Sequence, residues 1–195
     1  MKVHEEPAAQ PTCTLLLVRH AHCAMAGRFC GLADPPLSDE GRAQLPALAE
    51  KIAQYPVTQI FSSDRERAKA TAYFLAEQLH LTVQVMPELR ELSFGEWEGL
   101  SWDEAAARFP EHAERWMKEY PHLAAPGGEA FVDFRQRARK AIAEIARAAS
   151  GGCAVVVTHA GVIRSCLLDA ANLPERELGG IACEYASCTE LRVAQ

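Results

Sequence analysis

Apolar and polar positions fall into blocks along the chain, and block length separates strands from helices. Thr14–Val18 is a short continuous apolar run, the pattern of a strand buried on both faces. Cys153–Thr158 repeats it, Gln59–Ser62 and Leu81–Met86 read as further strands, and Glu184–Val193 supplies one or two more. Between them lie helical patterns. Ser38 suits the N-cap of a helix reaching about Gln54, in which Pro46 predicts a kink or a split. Asp64–Leu79 is amphipathic, Glu129–Ala149 is alanine-rich and opened by Pro126-Gly127-Gly128, and Val162–Ala171 follows the second buried run. The stretch from Glu88 to Gly128 is less regular, carries Trp97, Trp102 and Trp116, and predicts two short helices. Strands alternating with helices imply an α/β fold, a three-layer α/β/α sandwich around a mainly parallel sheet.

Composition narrows the function. The 195 residues hold 20 Lys+Arg against 26 Asp+Glu, a formal charge of −6. That balance argues against a general nucleic-acid binder and offers no basic patch to an anionic membrane. No apolar run approaches the roughly 20 residues a membrane-spanning helix requires. Length predicts one domain over residues 13–195, preceded by a loose tail over 1–12. The seven cysteines form an odd set without a CxxC pair, and no export signal precedes them, which predicts reduced thiols in the cytoplasm. Cys153, Cys166 and Cys183 read as small core hydrophobes, whereas Cys23 and Cys30 lie nearer the candidate chemistry.

In open α/β sheets, ligands bind beyond the carboxyl ends of the strands. The first buried run ends in Arg19-His20-Ala21 and the other in Thr158-His159-Ala160-Gly161. Gln59–Ser62 ends in Ser62-Ser63, with Arg67 and Thr71 in the next helix. If these strands are neighbours, His20, His159, Arg19 and Arg67 converge on a pocket suited to a doubly charged phosphate. Read singly, a histidine after a strand is most often a satisfied structural residue and an arginine usually a solvated surface charge, but two histidines at equivalent strand ends, one beside an arginine, are harder to dismiss.

The series as a whole resembles the histidine phosphatase superfamily, the phosphoglycerate mutase-like group. The resemblance rests on Leu17-Val18-Arg19-His20, the segment Asp34 to Gln44, Ser62-Ser63 through Arg67-Ala68 to Thr71-Ala72, Leu89 to Gly99, Pro126 to Glu129, and Val156 to Gly161. These six segments keep the family's order. It implies a phosphoglycerate mutase-like fold and a phosphomonoesterase that needs no metal or other cofactor. His20 is then the nucleophile that becomes phosphorylated, and Arg19, Arg67 and His159 hold the phosphoryl oxygens. Glu91 is the proton donor, chosen by the resemblance from among Glu91, Glu96 and Glu98. Arg28 and Ala160 complete the implied substrate contacts. The partner is a small phosphorylated metabolite.

Within the family, the region from His20 to Leu37 is similar to small bacterial phosphatases, including α-ribazole-phosphate phosphatase-like members. The stretch from Glu91 to Gly127 is short for a mutase, which remains the alternative activity. The chain departs from the family pattern at Ala21-His22-Cys23, and Ala26 stands where an asparagine usually lines the phosphate site. That loss motivates a further alternative, a phosphate-binding pseudophosphatase. His22 is expected to face solvent, Trp97 to pack rather than stack on substrate, and Trp116 with Phe109 to serve either a homodimer face or the core.

Overall fold

The computed structural model describes residues 12–194. The tail expected over 1–12 therefore lies outside the described residues, except for Thr12. Five strands form one sheet: β1 (Thr12–Arg19), β2 (Val57–Ser62), β3 (Val83–Val85), β4 (Cys153–Thr158) and β5 (Cys188–Ala194). Their order is β3-β2-β4-β1-β5. The β1–β4, β4–β2 and β2–β3 pairs are parallel, while β5 runs antiparallel to β1 at the edge. The sheet is thus mainly parallel, as expected, with a single antiparallel closing strand.

The continuous apolar runs are explained by the two faces they serve. Successive side chains of a strand point to opposite sides. Leu15, Leu17, Ala154 and Val156 pack with helices α5 (Phe131–Ala148) and α6 (Ala160–Ala170). Leu16, Val18, Val155, Val157 and Ile60 pack with α1 (Asp39–Ile52) and α2 (Glu66–Leu79). Every residue of β4 is buried. With no solvated face to satisfy, β1 and β4 show no polar alternation.

Ser38 caps α1 as predicted, its side chain accepting from the Gly41 N–H. Pro46 lies inside α1 but does not split it. Proline removes one N–H from the helical ladder, yet Leu45, Leu48, Ala49 and Ile52 remain buried along the helix and hold it on the sheet. The predicted third strand shrinks to the three residues of β3. The two short helices of the middle region are α3 (Trp102–Arg108), opened by a Ser101/Glu104 capping box, and α4 (Pro110–Glu119). They cap an aromatic cluster in which fully buried Trp97 meets Phe29, Trp102 and Trp116. Trp97 packs as expected, and Trp116 and Phe109 contribute to this same cluster. Cys153, Cys166 and Cys183 are buried. No helix among the described residues is long and apolar enough to cross a membrane.

Leu16 is wholly buried at the centre of the α1/α2 face. Leu16→Ala is expected to cost about 2–5 kcal/mol of unfolding free energy through lost transfer energy and a residual cavity, read as a lower midpoint in urea.

Candidate active site

The strand order brings the three candidate strand ends together, because β4 lies between β1 and β2. His20 follows β1, His159 follows β4 and Ser62-Ser63 ends β2. The two imidazoles meet edge to face with centroids 5.1 Å apart. Both are buried. His20 Nδ1 lies 2.8 Å from the Ala21 carbonyl oxygen, which requires its proton on Nδ1 and leaves a lone pair on Nε2. Arg67 Nε donates to that lone pair at 3.2 Å. Burial, reinforced by the charge of Arg67, pulls the His20 pKa down to about 3. His20 is therefore a neutral imidazole at physiological pH, with a fixed tautomer.

His159 is also held well below the usual histidine range, by burial and then by His20 and Arg67. Its Nδ1 accepts from Arg67 Nη2 at 3.2 Å, and its Nε2–H donates to Ser63 Oγ at 2.9 Å. His159 lies against His20, but it does not line the cavity that His20 opens onto. The expected convergence is thus met by His20, Arg19 and Arg67, with His159 behind them.

Arg67 is fully buried. Besides the two histidines, it donates to the carbonyls of Ala33 (2.7 Å), Cys30 (3.0 Å) and Gly31 (3.1 Å). Those carbonyls belong to a loop held from its other side by Glu98, whose carboxylate accepts from the N–H groups of Gly31, Leu32 and Ala33. Arg19 is oriented differently. Its guanidinium lies 3.6 Å above the Tyr185 ring centroid and donates to the Cys183 carbonyl at 2.5 Å. Its Nε is buried with no acceptor among the described residues.

Glu91 is fixed by two main-chain donors, Leu92 N–H at 3.0 Å and Gly161 N–H at 2.9 Å, the latter in the first turn of α6. Gly161 is required here: a Cβ at that position would lie 2.2 Å from the Glu91 carboxylate. Arg137 of α5 holds the segment itself, donating to the carbonyls of Glu88, Arg90 and Glu91 while paired with Glu129. Of the three neighbouring glutamates, Glu91 alone faces the cavity. Glu98 clasps the loop and Glu96 is exposed.

Arg19, His20, Arg28, Arg67, Glu91, Ala160, Arg164 and Tyr185 are among the residues lining a polar cavity of about 240 Å³. Phe29, Glu91, Phe94, Ala160 and Arg164 also line an adjoining aromatic chamber of about 130 Å³, walled by Trp116, Tyr120, Phe131 and Phe134. Arg28 stands in the wall, with its guanidinium tied to Glu104 and the Gly99 carbonyl. His22 corrects an expectation. It does not face solvent: its Nδ1 pairs with Ser38 Oγ at 2.7 Å and its ring meets Tyr185. The Ser38 N–H also donates to the His22 carbonyl at 3.1 Å, which holds this residue against the α1 N-cap.

Sequence reasoning missed Tyr185, Arg137, Arg164 and the clasp by Glu98. Tyr185 comes from an irregular segment with no periodic signal. Arg137 sits in a helix rich in surface-like arginines, and only its spacing from the Pro126-Gly127-Gly128-Glu129 turn marks it.

A histidine neutral when folded and protonated when unfolded makes stability depend on acidity. Between its ordinary pKa of 6.5 and about 3, the unfolded chain binds the extra proton. Unfolding free energy is therefore expected to fall as pH drops from about 6.5 towards 3. His20→Asn should flatten that slope in denaturant titrations, and an unchanged slope would contradict the neutral assignment.

Comparison with known proteins places the chain in a family. Residues 15–195 match the model of the histidine phosphatase superfamily (branch 1). A metal-independent phosphoserine phosphatase of Arabidopsis thaliana is 34% identical over 79% of this chain and 67% of its own length. An adenosylcobalamin/α-ribazole phosphatase of Salmonella typhimurium is 26% identical over 84% of the chain and 82% of its own length. A mycobacterial glucosyl-3-phosphoglycerate phosphatase, solved in complex with VO3, superposes with a TM-score of 0.80 at 32% identity, covering 91% of this chain and 90% of that one. With its phosphoglycerate mutase-like sheet and its two histidines at adjacent strand ends, this chain belongs to the histidine phosphatase superfamily and is a phosphatase of branch 1.

Proposed function

We propose that the protein is a metal-independent phosphomonoesterase that hydrolyses a small phosphorylated metabolite through a phosphohistidine on His20. The observation that carries this reading is the neutral His20, whose Nδ1 proton is fixed on the Ala21 carbonyl while Nε2 keeps its lone pair. Nε2 attacks phosphorus, the bond to the leaving oxygen breaks, and Glu91 in its acid form gives that oxygen a proton. Arg67 Nε, which donates to Nε2 in the free enzyme, passes to a phosphoryl oxygen as the lone pair becomes the N–P bond. Arg19 meets the same group with the buried Nε that has no acceptor among the described residues. These guanidiniums stabilise the charge spread over the equatorial oxygens, which a metal does in other phosphoryl-transfer enzymes.

In the second half, the Glu91 carboxylate takes a proton from water, the hydroxide oxygen bonds to phosphorus, and the N–P bond breaks. Inorganic phosphate leaves and Nε2 regains its lone pair. His159 fixes Arg67 from behind and, being neutral, adds no competing charge. Ala160 and Arg28 border the substrate rather than react with it. The aromatic chamber on the far side of Glu91 takes the leaving group, and its volume of about 130 Å³ favours a compact one. The named relatives act on phosphoserine, α-ribazole phosphate and glucosyl-3-phosphoglycerate, so the class transferred to this chain is a phosphate monoester of a small alcohol. We read the enzyme as a single domain over 13–195 acting in the cytoplasm.

Purified protein is expected to release phosphate from an aryl phosphate in EDTA, and His20→Ala to lose at least ~10³-fold in kcat/KM. An acid-labile, alkali-stable phosphoryl label on His20 should be trapped in single turnover. Equal rates in wild type and His20→Ala would sink the proposal. Glu91→Gln is expected to lose ~10²–10⁴-fold on an alkyl phosphate but much less on an aryl phosphate with an acidic leaving group. A uniform loss across leaving groups would remove Glu91 from the acid role.

A further inference from the structure

We propose that Tyr185 is a positioning residue for phosphoryl transfer. Its ring face holds the Arg19 guanidinium at the cavity and leaves the N–H groups of that guanidinium free for the phosphoryl oxygens. This role rests on the phosphatase reading above and adds to it how one of the two guanidiniums is aimed. The two are held in contrasting ways. Arg67 gives its N–H groups to two imidazole nitrogens and three carbonyls, so it meets a phosphoryl oxygen only by releasing a partner. The Arg19 side chain has a single acceptor among the described residues, the Cys183 carbonyl at 2.5 Å. One hydrogen bond does not fix the plane of a guanidinium.

The Tyr185 ring does. The central guanidinium carbon stands 3.6 Å from the ring centroid, the van der Waals distance of a stacked pair. An edge-on approach would put a nitrogen between carbon and ring and lengthen that distance. The π face therefore attracts the positive charge through the flat side of the guanidinium, while the N–H bonds lie in its plane. A ring holds the cation without consuming a donor. A carbonyl would consume one, and a carboxylate would cancel the charge as well.

The ring is held in its turn. The Arg19 N–H donates to the Ser187 carbonyl at 3.1 Å, the Ala186 N–H to the His20 carbonyl at 3.3 Å, and the Ser187 N–H to the Glu184 carbonyl at 3.2 Å. These bonds lock a tight turn onto the end of β1. Ala186 sits at φ 53°, in the left-handed region that alanine seldom adopts. Strain of this kind persists only where the surroundings enforce it. The turn delivers the Tyr185 ring into the cavity lining, with its centroid 5.5 Å from that of His20 and 5.0 Å from that of His22. His22 is itself fixed by Ser38, the N-cap of α1. None of these contacts uses the Tyr185 hydroxyl, so the role belongs to the ring.

Binding of inorganic phosphate to the full chain, measured by calorimetry, reads this role without turnover. Tyr185→Leu removes the π face but keeps an apolar side chain. It should weaken phosphate binding ~5–30-fold, the worth of a desolvated cation–π contact, and lower kcat/KM by at least as much. Tyr185→Phe keeps the face and should restore both to within ~2-fold of wild type. In an Arg19→Ala background, Tyr185→Leu should add less than ~2-fold, because the ring then has no cation to hold. Urea midpoints establish that each variant is folded, and Tyr185→Met replaces Tyr185→Leu if the latter is not. The proposal is overturned if the ring-less variant binds phosphate as wild type does. It is equally overturned if Tyr185→Phe loses as much as that variant, or if the loss is undiminished without Arg19. A wild type that binds phosphate but hydrolyses no ester would count against the phosphatase reading alone.

Discussion

Arg67 is the residue to which the rest of the site is fitted. A guanidinium wholly removed from water costs several kcal/mol unless its N–H groups are met, and no carboxylate among the described residues pairs with this one. Three loop carbonyls and two imidazole nitrogens do so instead, which ties β1, the loop after it, α2 and β4 to a single side chain. Carbonyl dipoles stabilise the cation without cancelling its charge. The protein thus keeps a full positive charge in its interior, and a carboxylate partner would have neutralised it before substrate arrived. The neutrality of both histidines belongs to the same constraint, since a third buried positive charge so close to Arg67 would be prohibitive.

The formal charge of −6 now reads as a property of the surface alone. Charged groups outside the cavity are largely consumed in pairs, such as Arg90 with Asp64, Arg137 with Glu129, and Arg139 with Asp169. An acidic exterior gives no long-range steering to an anion. An anion entering the cavity would meet positive charge only at contact distance, from Arg19 and Arg67 in its lining.

Much of the fold was legible in the sequence because burial on two faces leaves so plain a mark. The unbroken apolar runs of β1 and β4, each followed by a histidine, announced both the sheet centre and the site. Ser38 and Ser101 were readable for the same local reason, since an N-cap needs only its own turn. Pro46 did not split α1, because the packing of Leu48 and Ile52 holds both halves of the helix on the sheet. His22 misled because its environment is set by Ser38 and Tyr185, far along the chain. Which of Glu91, Glu96 and Glu98 faces the cavity depends on Gly161, seventy residues downstream, and on a loop sixty residues upstream. Tyr185 and Arg164 left no pattern, because aromatic or arginine residues in irregular or helical segments look alike whether they line a cavity or cover a surface.

The placement of β4 bears on how the molecule comes into being. Its two sheet neighbours are β1 and β2, yet it is made nearly a hundred residues after β2. A growing chain emerges with the two strands that flank the centre already present and the centre itself missing. Their apolar edges must stay apart, or pair wrongly, until Cys153–Thr158 is inserted between them. Only that insertion brings His159 to Arg67 and supplies the second face of the core. Topologies rich in such distant pairings fold slowly and leave unpaired strand edges exposed meanwhile. A nascent chain short of β4 therefore has neither the sheet centre nor the pairing of His159 with Arg67, and Tyr185 and β5 follow later still.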